Sequence, residues 1–459
     1  MHSRRVSVSA AVAAPSTSQT RPQLGFWTIA GPTIAGQLAA SVAGIVDLKI
    51  VGLLGASPLA AVGAGLRLFI TAQAVLVAVS AGTTALVARA MGAGDRNEAD
   101  QVTRTSLLLG VGLGAMLSVL GVLFADPLAH SFGLEEETTR ETARFIRTVS
   151  LFNVGLAAFN VMGASLRASG DARTPLFVGV AANVMNAALV YALVLGNFGA
   201  PRLGVTGAAI ATGTSFLVSG IALTALWWYR ATPAPAVRDA RRSRARTRQL
   251  LRIGGPAAIE QAFWQGGLVA FLYVIADYGD AAFAAYGLGT QILSFSFVIG
   301  FGFGISSATL VGQHLGAGDP QSARESGWRA MRWSIWIMMI VGALIMLGNR
   351  TLAGLLVADP EVLRLTSLFL LVLGAVQPLM AIEFTLAGSL RGAGDTRYPL
   401  FTTLVGLFGF RFTLAMAASS YGLDIAWVYS ALIADYIAKA TLLVSRFRSD
   451  RWQRALDRR

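Results

Sequence analysis

The chain has 459 residues, of which 54% are hydrophobic and only 13% are charged, whereas an ordinary soluble domain carries roughly 25% charge. This composition excludes an ordinary soluble protein and indicates a chain that crosses a membrane many times. Cysteine is absent, so disulfides, thiolate chemistry and cysteine-based metal sites are excluded. The formal net charge of +13 fits either nucleic-acid binding or basic cytoplasmic loops, and the position of the charge decides between them.

Apolar runs that are long enough to cross a bilayer recur along the sequence. A hydrocarbon core of about 30 Å takes about 20 helical residues to cross. We therefore predict an all-α polytopic membrane protein with twelve transmembrane helices. The predicted spans are 25–50, 59–88, 105–125, 145–166, 174–197, 203–228, 253–276, 281–312, 330–349, 363–388, 398–419 and 424–445.

Basic residues concentrate in alternate loops. Twenty-seven of the 37 Lys and Arg residues lie in or beside the N-terminal tail, the even-numbered loops and the C-terminal tail, and six lie in the odd-numbered loops. The positive-inside rule then predicts an inner (cytoplasmic) membrane protein with both termini in the cytoplasm. The arginine-rich segment 230–252 belongs to this pattern, so we expect no nucleic-acid partner.

The two halves of the chain repeat each other in a single register, in which position 31 corresponds to position 255. The matching pairs are Gly31-Pro32 with Gly255-Pro256, Gly-Ala-Gly-Asp at 92–95 with 316–319, and Leu-Arg-x-x-Gly-Asp at 166–171 with 390–395. Six spans per repeat give both copies the same orientation, which is a parallel-repeat transporter layout with two pseudo-symmetric six-helix bundles. The predicted units are a cytosolic tail (1–23), an N-terminal lobe (24–229), a flexible basic cytoplasmic linker (230–252), a C-terminal lobe (253–446) and a second tail (447–459).

The order of these motifs resembles the multidrug and toxic compound extrusion (MATE) family over essentially the whole chain. Val46-Asp47 near the end of span 1 and Asn183-x-x-Asn186 in span 5 add to the resemblance. It implies a V-shaped pair of lobes that alternates access and exports cationic, often aromatic, compounds against an inward proton or sodium flow. It also implies that Asp47 is the coupling residue. A second acid found in some members falls at Val190 here, which departs from that pattern.

Direct use of ATP is excluded by the two lysines of the chain. A P-loop needs Gly-Lys followed by Ser or Thr, and these lysines follow Leu48 and Ala438. The histidines, His2, His130 and His314, are scattered, so no histidine metal cluster is predicted. We expect a protein that is not an enzyme and that uses no cofactor beyond H⁺ or Na⁺ as coupling ion.

Acidic side chains inside a membrane are costly and are functional candidates. Four acids fall within the predicted spans without an acidic counterpart in the other half: Asp47, Glu260, Glu383 and Asp435. Asp47 lies about 24 residues, or roughly 36 Å, along span 1, towards the outer face. We predict that it is an ion-coupling carboxylate, and the alternative is an interfacial acid paired with Lys49 or Arg67.

Glu260 and Glu383 are predicted to lie at similar depths in spans 7 and 10. Each stands about 8 residues, or roughly 12 Å, from the arginine at its helix end, Arg252 or Arg391. Both are candidates for an ion-coupling site in the C-terminal lobe. The alternative is that they balance the charge of Arg411 in span 11.

Asp435 and Lys439 are four residues apart in span 12. Residues with this spacing face each other on a helix, so opposite charges there form an ion pair. We predict a structural pair rather than a transport role.

Amides inside the spans must find hydrogen-bond partners. The candidates for the substrate cavity are Gln37, Asn160, Asn183 and Asn186 in the first half, and Gln261 and Trp264 in the second. Interhelical hydrogen bonding is the alternative for the asparagines. Aromatic rings of spans 7 and 8 could stack on flat cations, and packing against lipid is the alternative.

These features predict a secondary antiporter that exports small organic cations or drugs in exchange for H⁺, or for Na⁺. We expect it to work as a monomer in the lipid bilayer. The competing prediction is a flippase or exporter for a lipid-linked or amphipathic anionic substrate. A membrane-embedded enzyme is disfavoured, because no loop is long enough to form a catalytic domain.

Overall fold

A computed structural model describes residues 25–231 and 240–455, and within these ranges the chain is helical with no strands. The predicted N-terminal tail, the last residues of the C-terminal tail and residues 232–239 of the linker lie outside the described residues. The first lobe consists of α1 (Phe26–Gly52), α2 (Ala56–Ala93), α3 (Arg96–Leu123), α4 (Ala125–His130), α5 (Glu136–Ser150), α6 (Asn153–Ala168), α7 (Arg173–Leu195) and α8 (Gly204–Arg230).

The second lobe repeats this order. Its helices are α9 (Ala240–Ala276), α10 (Asp280–Gly316), α11 (Pro320–Leu347), α12 (Asn349–Leu356), α13 (Pro360–Gly392), α14 (Arg397–Leu404), α15 (Thr413–Ser420) and α16 (Ile425–Arg448). A π-helical segment, Val405–Phe412, joins α14 to α15 without a break. Each lobe has its own apolar core, one centred on Phe145 and Leu156 and the other on Phe369 and Tyr429.

Eleven helices in the described residues are long and apolar enough to cross a membrane. The twelfth span is the pair α5 and α6, which bends by 52° at Leu151 and Phe152. The span predicted at 145–166 is therefore a bent pair of helices that begins earlier, at Glu136, and the count of twelve spans holds when this pair is one span. The predicted all-α fold with two repeated lobes is confirmed.

The repeated Gly-Ala-Gly-Asp motif forms the tight turns that join α2 to α3 and α10 to α11. Gly94 and Gly318 adopt the left-handed backbone conformation, with φ of 78° and 74°, which glycine tolerates better than other residues. Asp95 and Asp319 then cap the next helix by accepting hydrogen bonds from main-chain N–H groups at 2.8 and 2.9 Å. The motif thus ends one helix and starts the next in both lobes.

The second half of the basic linker is helical. Helix α9 begins at Ala240 and runs without interruption into the membrane, so residues 240–252 extend the seventh span instead of forming the predicted flexible connection. Arg246 donates two hydrogen bonds, of 2.7 and 2.6 Å, to the Glu98 carboxylate at the start of α3. Such bidentate pairs fix orientation, so this helical extension is attached to the first lobe. We call this face of the molecule the linker side.

The two lobes meet on the linker side through their main chains. A Cβ atom on Gly92 would lie 1.9 Å from the carbonyl oxygen of Gln313, and a Cβ atom on Gly316 would lie 2.0 Å from the carbonyl oxygen of Arg89. The repeat exchanges these four positions, 92 with 316 and 89 with 313, so the same contact is made twice about the pseudo-two-fold axis. Only glycine permits this closeness at positions 92 and 316.

Replacing Gly92 with alanine is expected to open the linker side, because the added methyl group forces α2 away from α10. A cysteine introduced at a buried position as Ala85→Cys, in a chain that has none of its own, reports this opening. We expect its reaction with a water-soluble maleimide to become at least severalfold faster. Gly112→Ala is the control, since nothing lies within 4 Å of its added Cβ. An unchanged labelling rate in the Gly92 variant would contradict the role of this contact.

Candidate functional site

Asp47 lies in the C-terminal half of α1 and faces the interior of the first lobe. Its Oδ2 atom accepts a hydrogen bond from the side-chain amide of Asn186 in α7. Its Oδ1 atom is buried, yet no residue in the described part of the chain donates a hydrogen bond to it. The ion pairs of the described residues include neither Lys49 nor Arg67 with Asp47, and Lys49 is exposed. The alternative of an interfacial ion pair at Asp47 is therefore wrong.

Asp47 lines a cavity of about 550 Å³ in the first lobe. Four of the predicted substrate-site residues line the same cavity: Gln37, Asn160, Asn183 and Asn186. The second lobe closes part of the wall through α10, which contributes Gln291, Ser294 and Phe295. The cavity thus extends along α1 between the two lobes.

The remaining wall of the cavity is largely apolar and aromatic. Phe69, Phe159 and Phe216 lie on it, and their rings contact one another at centroid distances of 5.8 and 6.4 Å. Apolar walls with a few polar groups are typical of small-molecule sites. A flat organic molecule can therefore lie against these rings while its polar groups reach the amides.

Two of the predicted substrate-site residues lie elsewhere. Gln261 and Trp264 are in α9 of the second lobe and do not line the Asp47 cavity. The Trp264 ring packs edge-on against Phe297 at 5.3 Å. The predicted substrate residues thus fall into two groups in different lobes.

Glu260 forms an ion pair across helices. Its Oε1 atom accepts a hydrogen bond of 2.6 Å from Arg391 at the end of α13 and one of 3.2 Å from the Thr403 hydroxyl. Glu260 is buried, with 9% of its surface exposed. Arg391 therefore neutralises the charge of Glu260. The alternative for Glu260, which required a pairing with Arg411, is not what the structure contains.

The other acids of the second lobe belong to a buried charge cluster. Asp435 lies 2.7 Å from Arg411 and 3.1 Å from Lys439, and Glu383 lies 3.3 Å from Lys439. The predicted pair of Asp435 and Lys439 is thus present, but it is part of a group of four. Two acids and two bases leave this cluster formally neutral. Arg411, which pairs with Asp435, lies in the π-helical segment, and π-helical turns tend to lie at functional positions.

Asp47 therefore differs from the three acids of the second lobe. Of the four carboxylates within the spans, it alone has no basic partner in the described residues. A carboxylate with a free oxygen beside a cavity can take up a proton or bind a cation. It can exchange one for the other if both reach the cavity.

The sequence interpretation missed two arginines. Arg391 was used as a helix-end marker and Arg167 appeared only within the repeated Leu-Arg-x-x-Gly-Asp motif, whereas Arg391 pairs with Glu260 and Arg167 lines the Asp47 cavity. A signal was available in the sequence. In the register of the repeat, Gly36 of the first lobe is equivalent to Glu260 of the second. Arg167 therefore has no acid at the position where its equivalent, Arg391, has Glu260.

The model of the MatE family matches residues 32–192 and 256–417, two segments whose first residues are equivalent positions of the repeat. The chain belongs to the MatE family. The family predicted from the order of the motifs is thereby confirmed, and MATE proteins are transporters and not enzymes. The two matched segments correspond to the two lobes.

Curated relatives and solved structures of MATE proteins agree with this assignment. The chain is 30% identical to the probable multidrug resistance protein NorM of Thermotoga maritima, over 93% of this chain and 92% of that protein. Two solved structures share the fold with a TM-score of 0.86 at 22% identity. One is a MOP superfamily transporter from Pyrococcus furiosus, covering 95% of this chain and 96% of that chain. The other is a mutant of the Vibrio cholerae MATE transporter VcmN, covering 93% and 97%.

Proposed function

We propose that the chain is a multidrug efflux transporter that exports organic cations by alternating access, in exchange for protons. The observation that carries this proposal is Asp47, an intramembrane carboxylate that lines the cavity and has no basic partner in the described residues. The names of the curated relatives, multidrug resistance proteins, support the substrate class.

The proposed exchange follows from competition at Asp47. A positively charged substrate is attracted by the ionised carboxylate, and a proton arriving from outside neutralises that carboxylate and releases the substrate. The Asn186 amide holds one oxygen in place and leaves the other free. The aromatic wall supplies apolar contact that does not depend on the details of the substrate, which suits a transporter of several compounds.

Protons are favoured over sodium as the coupling ion. Hard metal cations in proteins are held by several oxygen ligands at once. The Asp47 carboxylate is the only carboxylate that lines the cavity within the described residues, and its described partner is the nitrogen of one amide. A single carboxylate oxygen is sufficient to carry a proton.

The alternating-access step rests on the contact between the lobes. In this structure the lobes meet on the linker side, at Gly92 and Gly316. We propose that this side faces the cytoplasm, as the positive-inside rule predicts for the arginine-rich linker. Exposure of the cavity to the cytoplasm then requires these two main-chain contacts to separate.

Proteoliposomes test the proposal. Export of a fluorescent aromatic cation is followed under an imposed pH gradient and, separately, under a sodium gradient. We expect the pH gradient to drive export and the sodium gradient to leave it unchanged. A response to neither gradient would refute the antiporter, and movement of neutral or anionic cargo driven by a membrane potential alone would favour the flippase.

A further inference from the structure

Arg167 places a cationic group in the cavity of the first lobe. It lies at the linker-side end of α6 and lines the same cavity as Asp47. Its side chain folds back along its own helix, so that Nη1 lies 3.1 Å from the position of a Cβ on Gly163, one turn nearer the membrane interior. Its Nε atom is buried, and the described residues provide no hydrogen-bond or ion-pair partner for this guanidinium.

Asp171, the acid nearest to Arg167 in sequence, already has other hydrogen-bond partners. Asp171 accepts a hydrogen bond of 2.6 Å from Arg230 and further hydrogen bonds of 2.9 and 2.6 Å from the main chain and hydroxyl of Thr174. Burial alone would raise the pKa of Asp171, but these hydrogen bonds outweigh burial and hold the pKa below its ordinary value. Asp171 is thus ionised and paired at the surface turn and does not neutralise Arg167.

The repeat shows what an arginine at this position binds. Arg391, the equivalent residue of the second lobe, donates to the Glu260 carboxylate, which also accepts from Thr403. The register of the repeat places Gly36 at the position of Glu260 and Gly179 at the position of Thr403. Both of these glycines line the cavity. The first lobe therefore keeps the arginine and has open space where the second lobe has the carboxylate and its hydroxyl partner.

We propose that Arg167, with the space beside Gly36 and Gly179, is a subsite for a carboxylate group of the transported substrate. The inference rests on the proposed function, because it takes the cavity as the substrate site. Together with Asp47 it makes the cavity a receptor for zwitterions, with an ammonium group at one end and a carboxylate at the other. Gly36 and Asp47 are eleven residues apart on α1, so these two positions are separated by about 16 Å along the helix.

Matched probes measure this selectivity. The first probe is a fluorescent naphthalene derivative with a secondary ammonium at one end and a carboxylate at the other, and the second is its methyl ester. Binding of each to the purified full-length chain in nanodiscs is followed by fluorescence anisotropy without any ion gradient. The quantity of interest is the ratio of the two dissociation constants. We expect the zwitterion to bind more tightly than the ester.

The Arg167→Gln variant tests the arginine. A charge-assisted hydrogen bond in a cavity changes affinity by about ten- to a hundredfold, so we expect the preference for the zwitterion to fall by that factor. Arg167→Lys should keep part of the preference, because it retains the charge but not the planar fork. Arg173→Gln, an exposed arginine at the start of α7, is the matched control and should leave the ratio unchanged.

The Gly36→Glu variant tests whether the space beside Gly36 receives the carboxylate of the substrate. The added carboxylate reproduces Glu260 and should occupy Arg167, which removes the preference for the zwitterion even though the arginine is intact. Gly36→Gln, of the same size but neutral, should preserve more of the preference. The nearest atom to a Cβ on Gly36 is 3.6 Å away, in Leu176, so the start of the new side chain meets only ordinary contacts.

The outcomes separate the two proposals. A ratio near one in the unmodified protein, or a ratio that Arg167→Gln leaves unchanged, would overturn the carboxylate subsite. Because binding is measured at equilibrium without a gradient, a failure of proton coupling in proteoliposomes would leave these ratios unaffected. Conversely, loss of the subsite would not alter a response to the pH gradient with a purely cationic probe.

Discussion

Replacing Asp47 with asparagine is expected to abolish proton-driven export while the protein still folds and inserts. The asparagine has the same shape and can still form a hydrogen bond with Asn186, but it carries neither a proton nor a negative charge through the cycle. The rate of export under a pH gradient should fall by roughly a hundredfold, which corresponds to about 2.7 kcal/mol. Export of the fluorescent cation from proteoliposomes measures this loss, and size-exclusion chromatography verifies that the variant is folded.

A matched aspartate gives the control for this experiment. Asp280 lies at the start of α10, outside the cavity, and Asp280→Asn makes the same chemical change there. We expect its export rate to equal that of the unmodified chain. Undiminished export in the Asp47 variant would show that the coupling group lies elsewhere, and the charge clusters of the second lobe would become the next candidates.

Replacing Asp435 with asparagine is expected to destabilise the second lobe strongly. Asp435 is fully buried and pairs with both Arg411 and Lys439, so its loss leaves two buried cations facing the single carboxylate of Glu383. Removal of one partner of a buried ion pair costs about 3–5 kcal/mol. The midpoint of unfolding in sodium dodecyl sulfate, followed by tryptophan fluorescence, should shift to lower detergent fractions.

The compensating double variant distinguishes charge balance from loss of packing. Arg411→Met combined with Asp435→Asn removes one cation and one anion and leaves Lys439 paired with Glu383. We expect this double variant to be more stable than Asp435→Asn alone. A double variant as unstable as the sum of the two single changes would contradict the charge argument. Glu136→Gln, in an exposed pair with Arg140, is the surface control and should show no measurable change.

The sequence was sufficient to predict the fold because its two halves carry the same pattern of motifs and apolar runs. The constant register of the repeat and the length of the apolar runs predicted two lobes of six spans, and both are present. The departures occur where one copy differs from the other. The bend at Leu151 and the π-helical segment at Val405–Phe412 have no equivalent in the other lobe, where α13 and α7 are continuous. Local backbone changes of this kind follow from packing between helices, which a hydropathy pattern does not record.

The acids of the candidate site were found from the sequence, but of the ion pairs that they form only the one between Asp435 and Lys439 was predicted. Residues inside a membrane that carry charge are few, so Asp47 and Glu260 could be identified by their position alone. The ion pair between Glu260 and Arg391 joins residues that are 131 positions apart, and the relative rotation of two helices decides whether they meet. Asn186 was a candidate for the substrate cavity, with interhelical hydrogen bonding as the alternative, and in the structure it both lines the cavity and donates a hydrogen bond to Asp47 on another helix. Its role in transport stays a prediction.

The paired contact at Gly92 and Gly316 also bears on how such a protein can acquire new cargo. At these two positions the lobes meet through main-chain atoms, whose shape is the same whichever side chains line the cavity. Residues such as Gly36 or Asn160 can therefore be replaced during selection for a different compound without any change in the contact between the lobes at Gly92 and Gly316. Directed evolution of selectivity should accordingly yield its variants on the cavity wall and spare these two glycines.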